Sequence, residues 1–211
     1  TWSSCSPDFG VNGVVDRFGQ IEPKVLFAAD GYYYNGKRID SRPVARGIAA
    51  AIPNIDTVVI APFLEDSDGP GEGCVAWGDF CVPGQALAFE PVPFDHPLYI
   101  MYSSGTTGVP KCIVHGHGGS LLQHLKEHVL HTDIVVGERL FYFTTCGWMM
   151  WNWLVSGLAS GATLVLFAGS PFFDVGHGLW KMAERERITG FGTSAKYLSA
   201  LEKAGVRPAA D

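Results

Sequence analysis

Short β-branched or apolar runs alternate with helix-like segments along most of this chain, and that alternation narrows the fold more than any other feature. Apolar spacing at Val11, Val14, Val15 and Phe18 predicts a helix opened by Ser6 as cap and Pro7 at its first position. Strands are predicted at 24–29, 32–35 and 57–61, with a helix at 41–52 between the last two. After a Gly/Pro/Asp-rich connection over 62–97, broken by a short helix near 75–80, the pattern resumes with a strand at 98–102. Helices at 119–131, 148–158, 178–186 and 195–204 then alternate with strands at 140–144, 163–167 and 188–191. Strand followed by crossover helix is the signature of a parallel sheet, so the expected class is α/β, with layered, mostly parallel sheets and flanking helices. Two portions are expected, 1–96 and 97–211, the second carrying the segment described next.

Behind the apolar strand 98–102 comes Tyr102-Ser103-Ser104-Gly105-Thr106-Thr107-Gly108-Val109-Pro110-Lys111. Four Ser/Thr hydroxyls, two glycines and a lysine lie within ten residues. A polyphosphate presents closely spaced anionic oxygens, so a loop that holds one needs convergent N–H groups, hydroxyl donors and a cation. Gly105 and Gly108 permit close approach and positive φ, the hydroxyls donate, and Lys111 brings the charge. A Walker A loop would place Lys directly after its second Gly and open a helix. Here Val109 and Pro110 intervene, and 111–115 has the β-branched look of a strand, which argues against a P-loop NTPase. A plain Ser/Thr/Gly-rich turn is the competing reading.

The Ser103 to Lys111 run resembles the phosphate-loop signature of the AMP-forming adenylating superfamily, which includes the acyl-CoA synthetases. Its flanks are similar to the acetoacetate-activating branch: Trp2 to Gly10, His117-Gly118-Gly119 through Asp133, and Gly147 to Trp153. The resemblance implies part of the large N-terminal domain of such an enzyme, with the C-terminal domain, its adenylation lysine and the downstream adenine, ribose and metal motifs outside this sequence. It implies ATP and coenzyme A as substrates with acetoacetate, Mg²⁺ as ion, Ser103, Ser104, Gly105, Thr106, Thr107, Gly108 and Lys111 as nucleotide-binding residues, and Gly147 and Trp148 near the acyl group. A ligase for acetate or propionate, or a non-catalytic phosphate-binding remnant, are the alternatives.

The remaining features bound the answer. Near half of the 211 residues are apolar, enough for a sizeable core. The net charge of −6 and the absence of a Lys/Arg cluster argue against a nucleic-acid surface. The five cysteines are odd in number and never spaced as Cys-x-x-Cys, so neither a zinc site nor a disulfide framework is indicated and a reducing, cytoplasmic compartment fits. The stretch 140–173 carries no charged side chain, yet Asn152, Ser156, Ser160 and Gly161 divide it into two buried elements rather than one membrane span. His124, His128 and His131 share a helix face, where a metal site competes with a partly buried polar face that lacks the Glu of a zinc-hydrolase motif. His115 and His117 follow the loop, either as phosphate contacts or as strand-end packing. The run Thr193-Ser194-Ala195-Lys196 is similar to the family's helix start near the acyl and pantetheine region, and helix capping alone would explain it.

Overall fold

In a computed structural model, which describes residues 1–84, 86–103 and 108–208, the chain divides into two compact units, 1–115 and 116–211. The first unit begins with β1 (Trp2–Ser3), a 3-10 turn (Pro7–Phe9) and α1 (Gly10–Phe18). It continues through β2 (Val25–Ala29), β3 (Gly31–Tyr34), β4 (Lys37–Asp40), α2 (Arg42–Ala51) and β5 (Thr57–Ala61). β6 (Val75–Ala76) and α3 (Trp77–Phe80) follow within the long connection, and β7 (Pro97–Tyr102) and β8 (Cys112–Gly116) close the unit.

Parallel pairing of β2, β5 and β6 makes one sheet, in which Leu26 faces Val58 and Ala28 faces Ile60. One side of it takes the apolar stripes of α1 and α2: Val14 and Phe18 meet Ala45, Ile48 and Ile52 over Leu26, Val58 and Ile60. These positions recur every three to four residues on the helices and every second residue on the strands, so sequence period and buried face agree. On the other side Phe27 meets Trp77 and Phe80 edge to face, with ring centroids 6.0 and 5.3 Å apart. A second sheet has the order β1-β7-β8, β1 running parallel to β7.

The hairpin β3–β4 turns at Asn35 and Gly36, with φ of 49° and 73°, the positive-φ pair that lets a two-residue turn match strand twist. Asp30 closes its base. Its carbonyl accepts from Ser41 N at 2.9 Å, its amide donates to Ala61 O at 2.9 Å, and its carboxylate accepts from the Phe63 and Leu64 amides at 2.9 and 3.1 Å. Burial pushes this carboxyl up, but the Ser67 hydroxyl and the amides outweigh that effect and hold it below the usual range. Arg42 grips Asp40 as a fork, at 2.9 and 2.8 Å, and holds that carboxyl down at about 2.

The second unit holds α4 (His117–Leu125), which runs into a π-helical turn (Lys126–His131), then β9 (Arg139–Tyr142), α5 (Met149–Ser156) and a 3-10 turn (Gly157–Ser160). β10 (Thr163–Val165), a 3-10 turn (Phe173–Gly176), α6 (Gly178–Arg185), β11 (Gly190–Gly192) and α7 (Ala195–Lys203) complete it. β9 is central, with β10 and β11 parallel on either side. Phe141 points into a cluster with Leu179, Met182, Tyr197 and Leu201, and Leu140 into another with Ile134, Leu154 and Ala162. Opposite faces of one strand therefore serve two cores, which is why it carries no polar alternation.

The alternation of strands and helices is observed, and the uncharged stretch 140–173 is divided as expected among β9, α5 and β10. No helix among the described residues is long and apolar enough to cross a membrane. Expectations change at Ser6 and near residue 75. Ser6 gives no side-chain cap; the chain enters a 3-10 turn first, and the Ser6 carbonyl accepts from Phe9 N at 3.2 Å instead. Residues 75–76 of the expected short helix form a strand, because they pair with Val59 and Ile60 of β5.

Candidate functional site

In the first unit, β7 delivers the chain to Ser103 and β8 leads it away from Lys111. Ser104, Gly105, Thr106 and Thr107 lie outside the described residues. The neck of the loop is closed by two bonds: Ser103 N donates to Lys111 O, and Lys111 N donates to Ser103 Oγ, both at 3.0 Å. The Ser103 hydroxyl is the acceptor for that amide, and no acceptor for its own proton is found among the described residues. Gly108 has φ of 149°, and a Cβ at this position would meet nothing within 4 Å, so its requirement is backbone freedom rather than space. Pro110 is buried whereas Lys111 is exposed, which leaves the ammonium stem on the solvent side of the neck.

The entry leg is fixed by Tyr102. Its ring lies 6.5 Å from Phe18 and 5.9 Å from the Arg17 guanidinium, which also sits 4.5 Å over Phe9. Ser3 Oγ donates to Ile100 O at 2.9 Å, so the Tyr102 hydroxyl is the donor in its 3.0 Å contact with Ser3 Oγ. Burial pushes this phenol up to about 12, which keeps it a neutral anchor rather than an acid or base. The His115 ring lies tilted against Tyr99, centroids 5.0 Å apart, in keeping with strand-end packing.

In the second unit, Gly147 and Trp148 occupy the turn between β9 and α5. Trp148 N donates to Thr145 O at 3.1 Å, and the indole is 63% exposed, turned away from the core. Trp153 points the other way, 5.9 Å from Tyr142 and 4.3 Å from His128. The aromatic run thus splits into an outward indole that can meet a ligand and an inward one that packs.

His128 is fully buried, and its Nε2 lies 2.9 Å from Trp153 O and 3.0 Å from Ser156 Oγ. A carbonyl only accepts, so Nε2 carries the proton and Nδ1 is the bare nitrogen, which has no hydrogen-bond partner among the described residues. Burial pushes the imidazole below its ordinary value. On this helix face His124 and His128 are buried and His131 is exposed. No group of three His, Cys, Asp or Glu among the described residues is placed to hold a metal. At Ser194 the side chain accepts from Tyr197 N at 3.2 Å, the cap that the sequence allowed.

Sequence reasoning missed Gln20. Its Nε2 donates to Pro110 O at 2.8 Å on the exit leg of the loop, a contact across ninety residues that no local pattern announces.

The profile of the family described as AMP-binding enzyme matches residues 2–210. Acetoacetyl-coenzyme A synthetase of Rhizobium meliloti (strain 1021) is 58% identical over 99% of this chain, and its counterpart in Mus musculus is 47% identical over 98%. A malonamoyl-CoA synthetase of Penicillium aethiopicum is 46% identical over 96%. Among solved structures, an acetoacetyl-CoA synthetase from Streptomyces lividans superposes on the whole chain with a TM-score of 0.94 at 48% identity. The chain spans about a third of these proteins, 32% of the Rhizobium, Mus and Streptomyces chains and 31% of the Penicillium one. A loop necked by Ser103 and Lys111 on a parallel α/β scaffold and a family match across nearly the entire sequence lead to one assignment: this chain belongs to the AMP-binding enzyme family.

Proposed function

We propose that the chain is the loop-bearing part of an acid-thiol ligase that activates acetoacetate with ATP and transfers it to coenzyme A. The acid's carboxylate oxygen attacks the α-phosphorus of ATP and pyrophosphate leaves. The coenzyme A thiolate then attacks the acyl carbon and AMP leaves. The observation that carries this reading is the loop neck, where an exposed lysine, a serine with a proton to donate and a positive-φ glycine converge.

A carboxylate approaching a polyphosphate meets like charge, so the chain's task is to neutralise and orient. Ser103, Ser104, Thr106 and Thr107 donate to the β- and γ-oxygens, Gly105 and Gly108 let the backbone approach, and Lys111 supplies a cation. Mg²⁺ enters as the counter-ion of the triphosphate; no protein ligand set for it is found among the described residues, and no step is assigned to it. Gly147 and the outward Trp148 line the acyl side. Five cysteines free of disulfides support a reducing, cytoplasmic setting.

A second reading of the acid is favoured by the Penicillium relative, whose 46% identity falls beside the 47% of the Mus enzyme. Malonamate and acetoacetate both carry a carbonyl on the β-carbon, so a pocket that accepts one is a short step from the other. ATP–pyrophosphate exchange with acetoacetate, malonamate, acetate and propionate in the full-length ligase separates these. In the same assay Lys111→Ala is expected to cost roughly 1.5–3 kcal/mol of adenylate formation, the worth of one charge-assisted hydrogen bond. Unchanged exchange removes Lys111 from the site.

A further inference from the structure

We propose that Gln20 is a positioning residue for the nucleotide loop, holding its exit leg in register with the Ser103–Lys111 neck. The inference rests on the nucleotide reading of that loop. Gln20 follows α1, whose end is fixed by Gly19 N donating to Val15 O at 2.9 Å and Gln20 N to Arg17 O at 3.2 Å. Its side-chain amide is used completely. Nε2 lies 2.6 Å from Asp16 O and 2.8 Å from Pro110 O, which accounts for both N–H donors, and Oε1 accepts from the Cys112 thiol at 3.6 Å. Since both partners of Nε2 are carbonyls, the orientation of the amide is dictated by its surroundings.

The exit leg needs such a partner. Pro110 is buried and has no N–H, so it contributes a carbonyl to the neck and cannot add a backbone donor of its own. The same turn of α1 reaches the entry leg, where Phe18 and Arg17 meet Tyr102. One helix end therefore grips both legs, and Gln20 is the grip on the side from which Lys111 departs. Holding the Pro110 carbonyl and the Cys112 thiol ties the residues on both sides of Lys111, so the energy of binding a triphosphate is not spent on ordering that leg.

The test uses Gln20→Leu, which removes every polar contact, and Gln20→Glu, which keeps the shape and turns an oxygen on the Pro110 carbonyl. Both are assayed in the full-length ligase by ATP–pyrophosphate exchange, with melting temperatures measured alongside. The expected result is a KM for ATP raised about fivefold or more, the loss of one hydrogen bond, with the KM for the acid unchanged. Faster hydrogen exchange in 108–112, and not in α2 or β5, is expected with it. A wild-type enzyme that shows no exchange and retains no MgATP overturns the nucleotide reading and this inference together. Active wild-type enzyme whose variants keep the ATP KM, or raise both KM values alike, overturns the role of Gln20 alone. So does a failure of both variants to fold, which makes the residue purely structural.

Discussion

The neck of the loop in the first unit and the indole turn in the second are held in opposite ways. Around Ser103 and Lys111 the backbone is fixed by polar atoms: a hydroxyl, two amides and the Gln20 carboxamide. Around Gly147 and Trp148 the backbone bonds run from Trp148 N to Thr145 O and from Trp151 N to Trp148 O, and the weight is carried behind the turn by Leu154, Trp153 and the buried His128. A loop proposed to present donors to an anion is built from donors. A turn proposed to present an apolar wall is supported by apolar packing behind it.

Three measurements break or sharpen that contrast. The largest effect is expected from Leu154→Ala, since the side chain is 1% exposed in the core under α5 and such truncations cost about 2–5 kcal/mol. A denaturant melt that shows less than about 1 kcal/mol would mean the turn is not held by packing. A smaller effect follows from His128. Its folded-state affinity for a proton is depressed, so the unfolded chain takes up the proton first. Its contribution is complete above about pH 6.5, the ordinary histidine value, and is lost as pH falls from there through the folded-state value. Melting followed from about pH 7.5 to about pH 5, a window that brackets the ordinary histidine value, should show that slope in the wild type and a flatter one in His128→Asn. Identical slopes would place the acid sensitivity elsewhere. The smallest effect on stability is expected for Trp148→Ala, within about 0.5 kcal/mol because the indole is largely exposed. In the full-length ligase the same change should raise the KM for the acid and leave that for ATP alone, and a shift confined to ATP would remove Trp148 from the acyl side.

What can be read from the residues follows the range of the forces involved. Strand 57–61 and the helices around 42–51 and 195–203 are legible because their apolar periods coincide with the faces they bury. The loop is legible because its chemistry is written in consecutive side chains. β1 has only two residues and exists through its pairing with β7 nearly a hundred positions away, so no local signal foretells it. β4 escapes the sequence reading although Asn35-Gly36 is a hairpin signal, because Lys37 and Arg38 hide the strand character beside it. The π-helical turn at 126–131 has the sequence of ordinary helix; only its tertiary contacts, with His128 seated against α5, reveal the change. Gln20 lies in the same class as β1, since its partner is distant and nothing beside it in the chain points there.

The closed base of the β3–β4 hairpin has a practical consequence. Because Asp30 ties Ser41, Ala61 and the 63–64 amides at one point, the hairpin is clamped at its base, at Asp30 before the tip at Asn35 and Gly36 and at Ser41 after it, where α2 starts. The tip can be lengthened or exchanged for a tag, a fluorophore sequence or an affinity peptide while the clamp keeps both flanks in place. That makes it a graft site on the half of the chain that also carries the loop.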